Sequence, residues 1–400
     1  MNRSPVIVTP RTAPPPPVVL RPIATGLGAL ILAGIWVACL GRPTGTLLLS
    51  LIHLSFVAGL LTLASAAAIQ LGAATTGQTH PRPGLLGGFA LGVPAGGALL
   101  SVGFALGAPV LLATGGVLAF TGVASVFGHA LRRIGQSRSL RPLHVGLLLG
   151  FAGFLAAAAM GLAMALGLAL GRPSLLVLLP WHLALAFAAG FGALLAGVSW
   201  QLLPMFGRAR QVQGLLGYLP SGAFAAAALL GAFAWGRIGA GAAWLLAIAA
   251  AIHLAITVWS LARGSGAKPP PYTGLAHLAS AALLCLTALL LARGLYGDAL
   301  LAAFGGFAIA ILGYLERILP FIVFEAHLSR RTGRTKVPKL QDILPAKGRH
   351  ALLALYLAAL VLAMATSWGI RLFGVALALM ALRLFMALRN LPPRTSGSAE

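Results

Sequence analysis

Residues 180–210 read PWHLALAFAAGFGALLAGVSWQLLPMFGRAR. A histidine, His182, stands near the start. An apolar run carrying Gly190, Gly192 and Gly197 follows, and Gln201-Leu-Leu-Pro204 closes it ahead of Arg208 and Arg210. Nothing charged interrupts Leu183 to Phe206, a longer stretch than the ~20 apolar residues that span a bilayer as a helix. Small residues recur through it, as they do where helices pack in lipid.

The rest of the chain has the same character. It is 59% hydrophobic and 8% charged, with a mean hydropathy of +0.96. No soluble fold hides so much apolar surface behind so few charges. The runs are long and continuous, without the period-two alternation of a transmembrane barrel. Twelve spans are expected, at 23–40, 48–71, 84–106, 108–131, 143–170, 175–204, 217–235, 239–262, 272–293, 298–324, 349–367 and 369–390. Residues 1–22 form a proline-rich, basic, disordered tail without the features of a signal peptide. Residues 391–400 form a second tail. A membrane domain occupies 23–390. The longest connection, 328–348, is strongly basic.

Charge gives the orientation. Of 28 Lys and Arg, 21 fall in the two tails and the even-numbered connections, and five in the odd ones: Arg42, Arg172, Arg237, Arg293 and Arg371. This bias places both termini in the cytoplasm, in a cytoplasmic (inner) membrane whose anionic lipids face the basic loops. The net charge of +23 is therefore no sign of nucleic-acid binding, because it is spread between spans instead of gathered on one face. Cys39 and Cys285 lie within apolar segments and have no metal-site spacing. Gly88, Gly92 and Gly96, and again Gly146 and Gly150, recur at the interval that lets helices approach closely. Pro94 is expected to kink the third helix.

An internal repeat underlies the pattern. Gly197 to Pro204 and Gly313 to Pro320 have one spacing, and Gln70, Gln201 and Arg317 fall at one position, 131 and 116 residues apart. Helices 4, 8 and 12 each run into arginine, at Arg132, Arg263 and Arg389. The chain thus reads as three four-helix units, about 23–142, 143–271 and 272–390. An even helix count makes them parallel repeats about an axis along the membrane normal.

Twelve helices in three sets of four, cytoplasmic termini and a histidine opening helix 2 (His53) resemble subunit I of the heme–copper oxidases, the superfamily that includes nitric oxide reductases. The resemblance implies a heme-ligating role for His53 and a copper-ligating role for His182, with a b-type heme and a copper ion as cofactors and respiratory subunits as partners. Helix 10 is similar in Gly306-Phe-Ala-Ile-Ala-Ile-Leu-Gly313-Tyr-Leu-Glu-Arg-Ile-Leu-Pro320. The departures are specific. Helix 10 brings none of the family's two histidines, helix 7 none of its copper pair, and the cross-linked tyrosine has no counterpart. The oxygen-reducing centre is therefore incomplete, which argues against an oxidase.

The residues leave three functions open. His53 and His182 suit heme or metal ligation, for electron transfer, metal handling or gas sensing. Gln70, Gln201, Glu316 and Arg317 suit an intramembrane polar relay, as a transporter needs. A structural or assembly partner of a respiratory complex needs neither. His253 is expected in an interhelical hydrogen bond, and His129, His144, His277, His327 and His350 at inner ends beside arginines or lipid headgroups. No Ser-His-Asp set, phosphate loop or HExxH motif is present.

Overall fold

This computed structural model describes residues 14–76, 82–137, 140–234, 239–265, 269–327 and 343–389. The first thirteen residues, His80, most of the basic connection at 328–348 and the 391–400 tail lie outside the described residues, as do the side chains of Glu325, His327 and Arg389. Among the described residues all regular structure is helical. The helices are α1 (Pro16–Leu40), α2 (residues 45–76), α3 (Pro83–Leu106), α4 (Pro109–Gly135), α5 (Pro142–Ala169), α6 (Pro173–Gly207), α7 (Leu219–Ala234), α8 (Gly239–Ser265), α9 (Tyr272–Ala292), α10 (Tyr296–His327), α11 (Arg349–Ala365) and α12 (Ser367–Arg389).

Ten of these are long and apolar enough to cross a membrane, whereas α7 and α11 are apolar but shorter. The chain is an all-α, multi-pass membrane protein, since only helices with internally paired backbones suit a bilayer interior here. Helix α1 starts at Pro16, inside the segment expected to be a tail, because proline is pre-organised for a first helical turn. Helix α3 runs through Pro94 without interruption.

Two helices depart from α geometry. In α2 the nine residues His53–Leu61 are π-helical, and in α6 the nine residues Leu185–Ala193 are too. A π turn widens the helix and leaves the backbone one residue out of register, which usually marks a functional position. Polar side chains take up carbonyls around these segments. Thr62 Oγ1 donates to Val57 O at 3.2 Å, and Ser221 Oγ of α7 donates to Ala193 O at 3.2 Å. In lipid no water is available to do this.

The ring of helices closes on itself, with α1 packed along α12. Gly34 of α1 and Gly374 of α12 meet backbone to backbone. The middle belongs to α2, α6 and α10, whose phenylalanines interlock. Phe56 of α2 meets Phe187 of α6 edge-on at 4.9 Å and Phe304 of α10 at 5.2 Å. Phe191 of α6 meets Phe307 of α10 at 5.0 Å.

Close backbone approach is selective among the glycines. Gly146 of α5 and Gly197 of α6 touch through their Cα atoms, so a Cβ on either collides with the other's backbone. Gly96 of α3 sits on Gly115 and Ala119 of α4 in the same way, whereas Gly88 faces open space. Gly197→Leu is therefore expected to abolish the folded, monodisperse protein in detergent, and Gly88→Leu to leave its size-exclusion profile and melting temperature close to wild type.

Candidate functional site

His53 and His182 stand close to the π segments of two helices, 129 residues apart, near but not on the 131-residue repeat step. His53 is the first residue of the π segment in α2, and His182 lies three residues ahead of the one in α6. The His53 Nδ1 atom is 2.8 Å from Leu49 O, one turn back in α2. The His182 Nδ1 atom is 2.8 Å from Ala157 O, across the interface in α5. A carbonyl only accepts, so each Nδ1 carries the proton and each Nε2 keeps a lone pair. Neither Nε2 has a hydrogen-bond partner among the described residues. The two imidazoles are close enough to interact electrostatically, and both residues are half-buried.

The neighbours hold these rings in place. Phe104 at the end of α3 packs on the His53 ring at 4.8 Å, tilted by 32°. Gly161 of α5 lies directly under the His182 ring, where a Cβ would come within 3.0 Å of Cε1. An imidazole whose Nδ1–H is committed to a carbonyl and whose Nε2 is free is the arrangement of a heme or metal ligand. The donor chemistry of the pair fits heme iron or a copper ion.

Helix α10 does something different at this end. Asp298 lies 116 residues after His182, the same step that separates Gln201 from Arg317. It forms an ion pair with Arg42 of the α1–α2 connection. An acid–base clamp thus stands on α10 at the position that His182 takes on α6.

The four polar positions near the other ends of α2, α6 and α10 are not gathered into one chain. Gln70 lines a cavity of about 230 Å³ walled by apolar side chains of α1, α2, α5, α6 and α10. His53 and His182 do not line this cavity, which starts at Leu63, some 15 Å along α2 at the usual rise. Gln201 Nε2 contacts Met205 Sδ on its own helix at 3.3 Å, and Arg317 is exposed. Glu316 is ion-paired at 2.8 Å with Arg383 of α12. That guanidinium also donates to the carbonyls of Pro345 and Lys347. Helix α10, helix α12 and the entry to α11 are thereby tied together by a pair whose side chains are 7% and 17% exposed. Sequence reading placed Arg383 within a span and missed its partner. An acid and a base each well inside an apolar span were the available signal.

The structure also corrects the expectations for His277 and His253. His277, expected beside arginines or lipid headgroups, is 1% exposed. It stacks edge-on against His253 of α8 with ring centroids 5.2 Å apart, because Tyr272 to Thr287 turn a continuous face into the bundle. His253 is 2% exposed, and its Nε2 has no hydrogen-bond partner among the described residues, in place of the expected interhelical bond. His144 is buried at the start of α5, where its Nδ1 accepts from Arg141 N–H at 3.1 Å. His350 is exposed and touches the Tyr272 ring.

Removing one member of a buried pair leaves the other charge stranded, at a cost of about 3–5 kcal/mol. Glu316→Ala is expected to lower thermal stability sharply, and Arg383→Leu added to it to restore part of the loss. Melting curves of the two variants in detergent check this. No protein-family model matches the sequence, and no curated protein matches it.

Proposed function

We propose that this chain is built like subunit I of the heme–copper oxidases, as twelve spans in three parallel four-helix units. In this reading it binds a b-type heme, or a copper ion, through His53 and His182. One observation carries the proposal: two imidazoles beside the π segments of two helices, each with Nδ1 fixed by a carbonyl and Nε2 without a partner among the described residues. The repeat gains support from residues that define the centre. Phe56 and Phe187 are 131 residues apart and Phe191 and Phe307 are 116 apart, the two steps already read from the glutamine and arginine positions.

A bound heme or copper supplies a one-electron couple. The protein's part is to hold and shield it. Leu49 O and Ala157 O fix the two rings, and Phe104 covers one face of His53. The phenylalanines of α2, α6 and α10 keep water from the middle. With no histidine on α7 among residues 219–234 or on the first turns of α10, the site lacks the ligands of an oxygen-reducing pair. Electron transfer, heme or metal handling, or gas sensing fits it, in the cytoplasmic membrane with both termini inside and with respiratory subunits as partners.

A permease is the second reading, favoured by the 230 Å³ cavity with Gln70 in its wall. It loses ground at Glu316, whose carboxylate is committed to Arg383.

The reduced-minus-oxidised visible spectrum of the detergent-purified protein, with a pyridine hemochrome assay, tests the proposal. Wild type expressed with ample heme is expected to carry heme in stoichiometric amount, His53→Ala to lose it, and His182→Ala to lose it or change its spin state. A protein that carries neither heme nor copper overturns the reading.

A further inference from the structure

Six buried side-chain nitrogen or oxygen atoms among the described residues have no hydrogen-bond partner. Four of them lie on two neighbouring helices, His253 Nε2 on α8, and Thr273 Oγ1, His277 Nε2 and Ser280 Oγ on α9, with the His253 and His277 rings in contact. Thr273, His277 and Ser280 are spaced four and three residues apart, so they share one face of α9. All are at most 2% exposed. An unsatisfied polar atom in a low-dielectric interior costs free energy, and such a concentration calls for a polar occupant.

The imidazole geometry identifies it. The rings of His253 and His277 lie at 86° with centroids 5.2 Å apart. Two imidazoles binding one metal through Nε2 at about 2 Å put their centroids roughly 5 Å apart at a near-tetrahedral angle and above roughly 6 Å at a linear one, so the spacing fits a bent site that a hydroxyl or water completes. Tyr314 of α10 sits 3.2 Å from His277 Nδ1, so His277 Nδ1–H donates to the phenol oxygen when Nε2 holds a metal. That is the outer-shell contact that orients a ligating histidine. Phe224 of α7 closes the other side of His253.

The geometry points to a buried copper(I) site held by His253 and His277, with Tyr314 as the positioning residue. Charge decides the oxidation state. No group of three or more His, Cys, Asp or Glu that could hold a metal occurs among the described residues. The ligands here are neutral imidazoles, and the cost of burying an ion rises steeply with its charge. A monovalent ion is the least penalised. A closed-shell copper(I) ion is content with two or three donors, whereas zinc in structural sites takes four. Imidazole is a good copper ligand. The site lies between α8, α9 and α10 and does not depend on the His53–His182 reading.

Copper(I) titration against a competing chromophoric chelator, with metal content by mass spectrometry, tests it. The His53→Ala/His182→Ala double variant removes the other site. This background is expected to bind one equivalent of copper(I), and adding His277→Ala to abolish that binding. Tyr314→Phe in the same background is expected to keep the stoichiometry and weaken affinity roughly 10- to 100-fold. Should His277→Ala fail to fold, the affinity shift of Tyr314→Phe and X-ray absorption showing two nitrogen donors decide the matter. A background protein that binds no copper, or whose binding is indifferent to His277→Ala and Tyr314→Phe, overturns the inference and leaves buried water as the partner of the orphaned atoms.

Discussion

The contact on which the rest depends is the aromatic meeting of α2, α6 and α10. Phe56 touches both Phe187 and Phe304, and Phe191 touches Phe307. Edge-on and offset ring pairs are directional, contributing on the order of 1 kcal/mol each beyond burial. They fix the rotation of three helices about their own axes. In lipid that matters more than in water, because no hydrophobic gradient tells an apolar helix which face belongs inside. Once those three are locked, His53 and His182, each more than two turns into its helix, are held toward the same end of the bundle. Asp298 of α10 is brought to Arg42 at the same end.

The π segments and the glycines serve that arrangement. Each π segment spans its helix's central phenylalanines and begins at His53 or three residues past His182, so the register of the rings changes beside the histidines. Gly146 and Gly197 let α5 come against α6, close enough for Ala157 O to reach His182 Nδ1. Elsewhere long side chains satisfy backbone groups that water cannot. Tyr356 OH donates to Gly305 O, and Trp200 Nε1 to Val212 O.

The all-α character and the long apolar spans were legible in the sequence because lipid demands long uncharged runs, and loops interrupt them with Arg, Gly and Pro; ten helices among the described residues are long enough to cross a membrane, where twelve spans were expected. What the sequence could not reveal was rotation. A helix apolar on every side has no polar stripe to betray its inner face, so His277 could not be told from a headgroup-facing histidine, nor Arg383 matched to Glu316. The π segments have no sequence signature of their own. The recurrence of 131 between Phe56 and Phe187 and of 116 between Phe191 and Phe307 was visible in the sequence, and would have pointed to the central cluster.

The central claim is that His53 and His182 serve one centre. Electron paramagnetic resonance of the oxidised protein, with pulsed detection of ligand nitrogens, addresses it directly. The account predicts a paramagnetic centre coupled to two imidazole nitrogens in the wild type, whose signal is lost in His53→Ala and is lost or keeps a single imidazole coupling in His182→Ala. A centre whose nitrogen couplings survive either substitution, or the absence of any such centre in the metal-replete protein, would contradict it.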